Sequence, residues 1–276
     1  MSVARLAPTQ SKVETDDGLL LNFYYWPNQN AKAAIVISHG WSEHAGRYQC
    51  IAEWFVSQGY AVYALDHRGH GQSEGKRGHV RRWSDYAQDL ETLRSTVMEE
   101  KQYLLGHSMG GMISLHHLLE YPGRFSGVAL SGPAADVSIA VPWFTRVIGN
   151  TMSFFLPRLS LAHPIEASVV CSDPEVVAAY ATDPFNHGKV SARWFTEYLS
   201  AVTKLRKQAS QIKTPIAIWH GEGDELVEPW VSEHLFDRLE MTNKQRKIVP
   251  KALHEILLEP SWPETAKEMK NWLERF

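Results

Sequence analysis

Gly106-His107-Ser108-Met109-Gly110 is the stretch on which the fold turns. It fits the pattern G-x-S-x-G, and its flanks decide what the match is worth. Upstream, residues 102–105 read as a short apolar strand; downstream, residues 109–120 read as a helix. A strand meeting a helix through so tight a turn pushes Ser108 into a strained backbone conformation with its hydroxyl exposed. Gly106 and Gly110 lack Cβ atoms, which lets strand and helix approach closely. The helix N-terminus then directs free N–H groups at a reacting carbonyl. The bland alternative is a glycine-rich turn without chemistry, and the strand–turn–helix placement argues against it.

Working outward, short apolar runs alternate with helical sequence. Residues 34–38, 60–65, 127–130, 215–219 and 247–250 read as further strands. Helices fall at about 46–58, with Gly59 at the end, at 84–99 with Ser84 as cap, and at 229–239. Residues 12–15 and 19–26 form a hairpin around Asp16-Asp17-Gly18. The alternation implies an α/β fold: a mostly parallel central sheet covered by helices on both faces, with its site at the carboxyl ends of the strands. Residues 133–189 break the rhythm with Pro142-Trp143-Phe144, Phe154-Phe155 and several further prolines. That segment is too long and apolar for a plain loop. It reads as a mainly helical lid inserted into a core formed by residues 1–132 and 190–276.

A serine hydroxyl needs a base to take its proton, and a nucleophile on such a turn finds its partners in the chain order Ser, acid, His. Asp224 follows the strand at 215–219 inside His220-Gly221-Glu222-Gly223-Asp224-Glu225. Glu222, Glu225 and Glu228 compete for the role and read as solvated loop charges. His254 follows the last strand, where the base belongs. The catalytic set is therefore Ser108, Asp224 and His254. The oxyanion donors are the backbone N–H of Met109, next to the nucleophile, and that of Trp41, in the His39-Gly40-Trp41 turn.

Composition narrows the partners. The chain has 276 residues and a net charge of −3, so no basic surface argues for nucleic acid. Its two cysteines, Cys50 and Cys171, read as reduced thiols of a cytoplasmic protein, and no leader or membrane span is expected. Residues 66–76 loosely resemble a phosphate loop, but Gly69 and Gly75 enclose five residues, Gly71 and Gly75 three, and Arg77 stands where Ser or Thr is needed. Thirteen histidines form no H-E-x-x-H, so neither metal nor cofactor is expected. The aromatic residues of the lid pack into the core or touch acyl chains during transient contact with a membrane surface. The oligomeric state is open.

The chain resembles the monoacylglycerol lipase and lysophospholipase group of the α/β-hydrolases, also labelled serine aminopeptidase-like. The resemblance rests on residues 39–48 (HGWSEHAGRY), 66–73 (DHRGHGQS), 106–111 (GHSMGG), 220–224 (HGEGD) and His254-Glu255. It implies the same triad and oxyanion donors, and it implies that Glu43, Arg47 and His107 lie near the polar end of the pocket, where an alcohol such as glycerol would bind. The expected activity is hydrolysis of a carboxylic ester, monoacylglycerol or a similar single-chain lipid, through an acyl-enzyme. A generalist carboxylesterase is one alternative. An aminopeptidase is another, and would hold the substrate ammonium with Glu166, Asp173 or Glu175. Haloperoxidase chemistry on the same triad and a non-catalytic binding module are further ones.

Overall fold

The protein is described from a computed structural model covering residues 7–137 and 142–276. The reading of the N-terminus and of the lid from residue 133 onward therefore lies in part outside the described residues. β1 (Thr9–Glu14) and β2 (Leu20–Trp26) form the hairpin at one edge of the sheet. β3 (Ala33–Ser38), β4 (Tyr60–Leu65), β5 (Gln102–His107), β6 (Gly127–Ser131) and β9 (Ile216–Gly221) are buried at every position. β10 (Lys244–Val249) closes the other edge. The order is β1-β2-β4-β3-β5-β6-β9-β10, parallel from β4 to β10. β2 runs antiparallel to β4.

The central strands are apolar throughout because both faces are covered. On β3, Ala34 and Val36 face a layer that includes Leu90, Ile113 and Leu205. Ile35 and Ile37 face the opposite layer, with Ile51, Phe55 and Met269. The period of two along the strand thus feeds two cores. The first layer is supplied by α2 (Trp83–Arg94), α3 (Met109–Glu120), α6 (Ala192–Gln208) and α7 (Trp230–Arg238). The second is supplied by α1 (Gln49–Ser57) and α8 (Trp262–Leu273). Each fully buried Leu or Ile contributes roughly 1.5–3 kcal/mol, which holds the strand ends in place.

Between β6 and α6 lie α4 (Trp143–Phe155), β7 (Ser160–Ala162), α5 (Pro174–Thr182) and β8 (Lys189–Ser191). β7 and β8 pair antiparallel, and α4 packs on α6. No helix among the described residues is long and apolar enough to cross a membrane. Cys50 is exposed and Cys171 buried, both free.

Three local expectations need correction. The second helix starts from Arg82, not Ser84, because the Asp85 carboxylate accepts the Arg82 N–H at 3.1 Å; it ends at Arg94, well short of residue 99. The helix expected from residue 46 opens as a tight 3-10 turn, Ala45–Tyr48, whose first donors go to Asp66 and to the His44 ring. β10 begins at Lys244, three residues before the apolar run. Its polar start is the ordinary dress of an edge strand.

Candidate active site

The loops that carry the chemistry leave the carboxyl ends of β3, β5, β6, β9 and β10. At the end of β5, Ser108 adopts φ 52° and ψ −117°, a conformation costly for any residue with a side chain. Its N–H donates to the Ser131 carbonyl at 2.9 Å, and its carbonyl accepts from Gly111 and Ala134, both at 3.0 Å. The strained turn is thus fixed from both sides. A Cβ on Gly106 would lie 2.4 Å from Ser114 Oγ on the following helix, so this glycine permits the strand–helix approach. Gly110 serves a different contact: its Cβ would lie 2.0 Å from the Ser38 carbonyl oxygen. It therefore lets the Ser108 turn sit against the end of β3, where the Trp41 turn begins.

Asp224 and His254 meet as a buried pair, with Nδ1 of His254 at 2.7 Å from Oδ2 of Asp224. A carboxylate only accepts, so Nδ1 carries the proton and Nε2 is left as an acceptor. The other carboxylate oxygen accepts the N–H groups of Leu226 at 3.0 Å and Val227 at 2.9 Å. His220 Nε2 also lies 3.1 Å from Oδ2 and 2.6 Å from the Val227 carbonyl. Burial alone would raise the pKa of Asp224, but the charge of His254 and the hydrogen bonds from His220 and His254 hold it well below the usual carboxylate range. For His254, burial works against protonation, yet the Asp224 carboxylate outweighs it and raises the ring above its ordinary value of 6.5. The ring packs against His107 in a tilted arrangement, with centroids 4.7 Å apart and planes at 53°. Burial first, and then the charge of His254, depress His107 to about 3, so it stays neutral when His254 takes a proton. Its Nδ1 lies 3.1 Å from the Ser131 carbonyl.

The turn after β3 is held from behind. The His67 N–H donates to His39 Nε2 at 3.0 Å, so His39 carries its proton on Nδ1 and donates it to the Gly40 carbonyl at 2.7 Å. The Gly40 N–H donates to Glu43 Oε1 at 2.5 Å. Among the described residues, the N–H groups of Trp41 and Met109 have no protein acceptor. Glu43 also accepts from the Tyr48 hydroxyl at 2.9 Å and from Arg47 at 2.8 Å. Arg47 then reaches across to Glu255 with two nitrogens, Nη2 at 2.7 Å from Oε2. Its guanidinium lies over the Tyr180 ring at 4.8 Å. In the glycine-rich loop after β4, Asp66 accepts from Gln72 of the same loop and from Asn22 and Ala45 outside it, at 2.8–2.9 Å.

A cavity of about 840 Å3 opens over these residues and is lined by Trp41, Ser108, Met109 and His254. Ile148, Met152, Leu161, Val190 and Leu199 line it as well, and its walls are largely apolar. The size suits a ligand of tens of heavy atoms. Of the three residues expected at the polar end, Glu43 and His107 line the cavity and Arg47 does not. Arg47 is instead enclosed by Glu43, Glu255 and Tyr180. Two participants were not singled out from the sequence. Glu255 and His220 both stand inside the quoted blocks, but nothing in a linear pattern says that one grips Arg47 and the other Asp224.

Residues 29–261 match the profile of the hydrolase family described as serine aminopeptidase, S33. The chain is 34% identical to the monoacylglycerol lipase of Mycolicibacterium smegmatis over 93% of each chain. It is 31% identical to the monoglyceride lipase of Rattus norvegicus, over 93% of this chain and 88% of that one. The crystal structure of Paleococcus ferrophilus monoacylglycerol lipase superposes with a TM-score of 0.81 at 28% identity, covering 96% of this chain and 98% of the other. The mostly parallel eight-stranded sheet and the helices on both its faces are those of the α/β-hydrolase fold, and the chain belongs to the S33 serine aminopeptidase family within it.

Proposed function

We propose that the protein is a serine carboxylic-ester hydrolase that cleaves monoacylglycerols or related single-chain lipid esters through an acyl-enzyme. The observation that carries this reading is the largely apolar cavity of about 840 Å3 that Ser108 and His254 both line. The relatives named as monoacylglycerol lipases support the same substrate class.

In this mechanism the Ser108 oxygen bonds to the ester carbonyl carbon and its proton passes to His254 Nε2. The carbonyl electrons move to oxygen, where the N–H groups of Trp41 and Met109 receive the charge, each worth roughly 3 kcal/mol to the transition state. The carbon–oxygen bond to the alcohol breaks, and His254 returns its proton to the leaving oxygen. Water then repeats the attack on the acyl-serine with His254 again as base. Asp224 keeps the imidazole in the productive tautomer and stabilises it when charged. Glu43 and His107 border the space where the alcohol departs.

Segment 133–189 acts in this reading as the lid. On α4, Trp143, Phe144 and Ile148 are exposed, as are Phe154, Phe155 and the following Leu161, several by more than two thirds. An apolar face so large invites a lipid surface, and Ile148 and Leu161 also line the cavity behind it. The aminopeptidase alternative is weaker. Of Glu166, Asp173 and Glu175, only Glu166 lines the cavity.

A p-nitrophenyl ester series tests the substrate class. At roughly 0.8 kcal/mol per buried methylene, kcat/KM should climb about fourfold per added methylene until the cavity is filled. A flat series removes the lipid preference, activity on aminoacyl-naphthylamides alone replaces the esterase reading, and full turnover in a folded Ser108→Ala variant sinks the mechanism.

A further inference from the structure

Between the lid segment and the loop after β4 lies a second, smaller pocket, lined by Lys76, Arg77, Arg158 and Lys189 together with Leu159, Ser160, Leu161 and Ala162. Its lining holds four cationic residues and no acid. Among the described residues none of the four forms an ion pair, whereas neighbouring Arg193 has Glu197 at 4.0 Å. Two of them are fastened by backbone instead. Lys76 donates to the Arg158 carbonyl, and Arg77 donates to the Gly71 carbonyl while its Nη1 is buried without a partner. The walls are stitched together as well, since the Ser191 N–H donates to the Gly78 carbonyl at 2.8 Å and the Ser191 hydroxyl meets His79 Nδ1 at 2.9 Å. Like charges are thus gathered on three separate segments with no carboxylate in ion-pair contact among the described residues; Asp66 acts on Arg77 only at longer range. Their field is felt locally: burial and then Arg77 and Lys189 depress His187 to about 4.

We propose that this pocket receives the phosphate of an anionic phospholipid in the surface on which the enzyme works. The inference rests on the reading that the lid meets lipid, and adds the headgroup chemistry. Four unpaired cations in a concave site suit a phosphate oxyanion. The pocket shares Leu159, Leu161 and Ala162 with the substrate cavity, and Leu161 is 71% exposed. A headgroup seated there therefore brings the apolar rim against the acyl region. The chain as a whole carries −3, so attraction to an anionic surface must come from a local patch and not from net charge.

The test is co-sedimentation with vesicles of phosphatidylcholine, with and without phosphatidylglycerol, at low and high salt. The protein should partition at least about tenfold better when phosphatidylglycerol is present, and salt should erase the difference. The triple variant Lys76→Gln, Arg158→Gln, Lys189→Gln changes only exposed side chains. It should lose on the order of a hundredfold in partition to phosphatidylglycerol vesicles while keeping its kcat/KM on a soluble p-nitrophenyl ester. Equal partition to both vesicles, or a folded triple variant that binds phosphatidylglycerol like the parent, overturns the proposal. Saturable binding of glycerol 3-phosphate in solution with no vesicle preference also overturns it, in favour of a soluble anion. Loss of ester hydrolysis in the parent protein would instead sink the enzymatic reading, because the partition readout does not depend on turnover.

Discussion

Replacing Arg47 by Met should both destabilise the protein and move its pH profile. The guanidinium is 8% exposed and stands between two carboxylates, Glu43 and Glu255, that are 4% and 6% exposed. Methionine keeps much of the volume and removes the only cation that, among the described residues, is bonded to either. Breaking a buried ion pair from one side costs about 3–5 kcal/mol, because the remaining charge stays buried without compensation. Here two carboxylates are left, so the upper half of that range is expected unless one of them takes up a proton. For a chain of this size each kcal/mol lowers Tm by roughly 2–4 °C, which makes the drop on the order of 10 °C. The second consequence is specific to the site. Asp224 is the main influence lifting His254, but Glu255 and Glu43 lift it further. Without Arg47 their charge is unmasked and the imidazole holds its proton more tightly. In the proposed mechanism the base must be neutral to work, so the acidic limb of kcat/KM should shift to higher pH in Arg47→Met and much less in Arg47→Lys. Urea unfolding and a pH profile on a soluble ester measure both. A variant within about 1 kcal/mol of the parent, with an unmoved limb, would show that the Glu43–Arg47–Glu255 strap carries neither stability nor electrostatic influence on the base.

Two other expectations follow from the same groups. Asp224→Asn should lower kcat on the order of ten-thousandfold and bring the acidic limb of any residual activity down, since the counter-charge that raises His254 is gone; a limb that stays in place would mean another group sets it. Acid should destabilise the fold before carboxylates titrate, because burial depresses His67 and His107 to about 3 and His116 to about 4, and all three stay neutral in the folded state while the unfolded chain binds protons near 6.5. Their shared contribution is full above pH 6.5 and falls as pH drops toward 4; between pH 7 and 5.5 the three lose together up to about 4 kcal/mol, partly opposed by His254, whose raised pKa adds stability in that direction. Denaturant melts at a series of pH values read the net slope, and stability that is flat or rising across that interval would contradict the burial argument.

What could be read from the sequence is what short-range geometry encodes. A strand buried on both faces is a run of apolar residues, so β3, β4, β5 and β9 stand out within a residue or two at each end. The turn at Ser108 announces itself because only glycine tolerates a contact such as the one between Gly110 and the Ser38 carbonyl. β10 hid its first half because an edge strand has one neighbour and keeps polar residues at Lys244, Gln245 and Arg246. Arg82 was missed as a helix cap because the capping group is the side chain of Asp85, acting backward. The cationic pocket draws on residues as far apart as Lys76 and Lys189, each unremarkable alone.

Glu43 shows where a linear pattern stops and geometry takes over. Its place in the motif suggests contact with the substrate alcohol, and it does border the cavity. Yet Oε1 already accepts the Gly40 N–H and the Tyr48 hydroxyl, and Oε2 accepts from Arg47. A carboxylate has about four acceptor positions, so three are spent on protein and one remains. The three that are spent hold the turn carrying the Trp41 N–H and, through Arg47, tie it to the residue after His254. In the proposed mechanism, a side chain committed in that proportion acts first on where the oxyanion donor and the base sit relative to each other, and only with its last lone pair on whatever alcohol leaves.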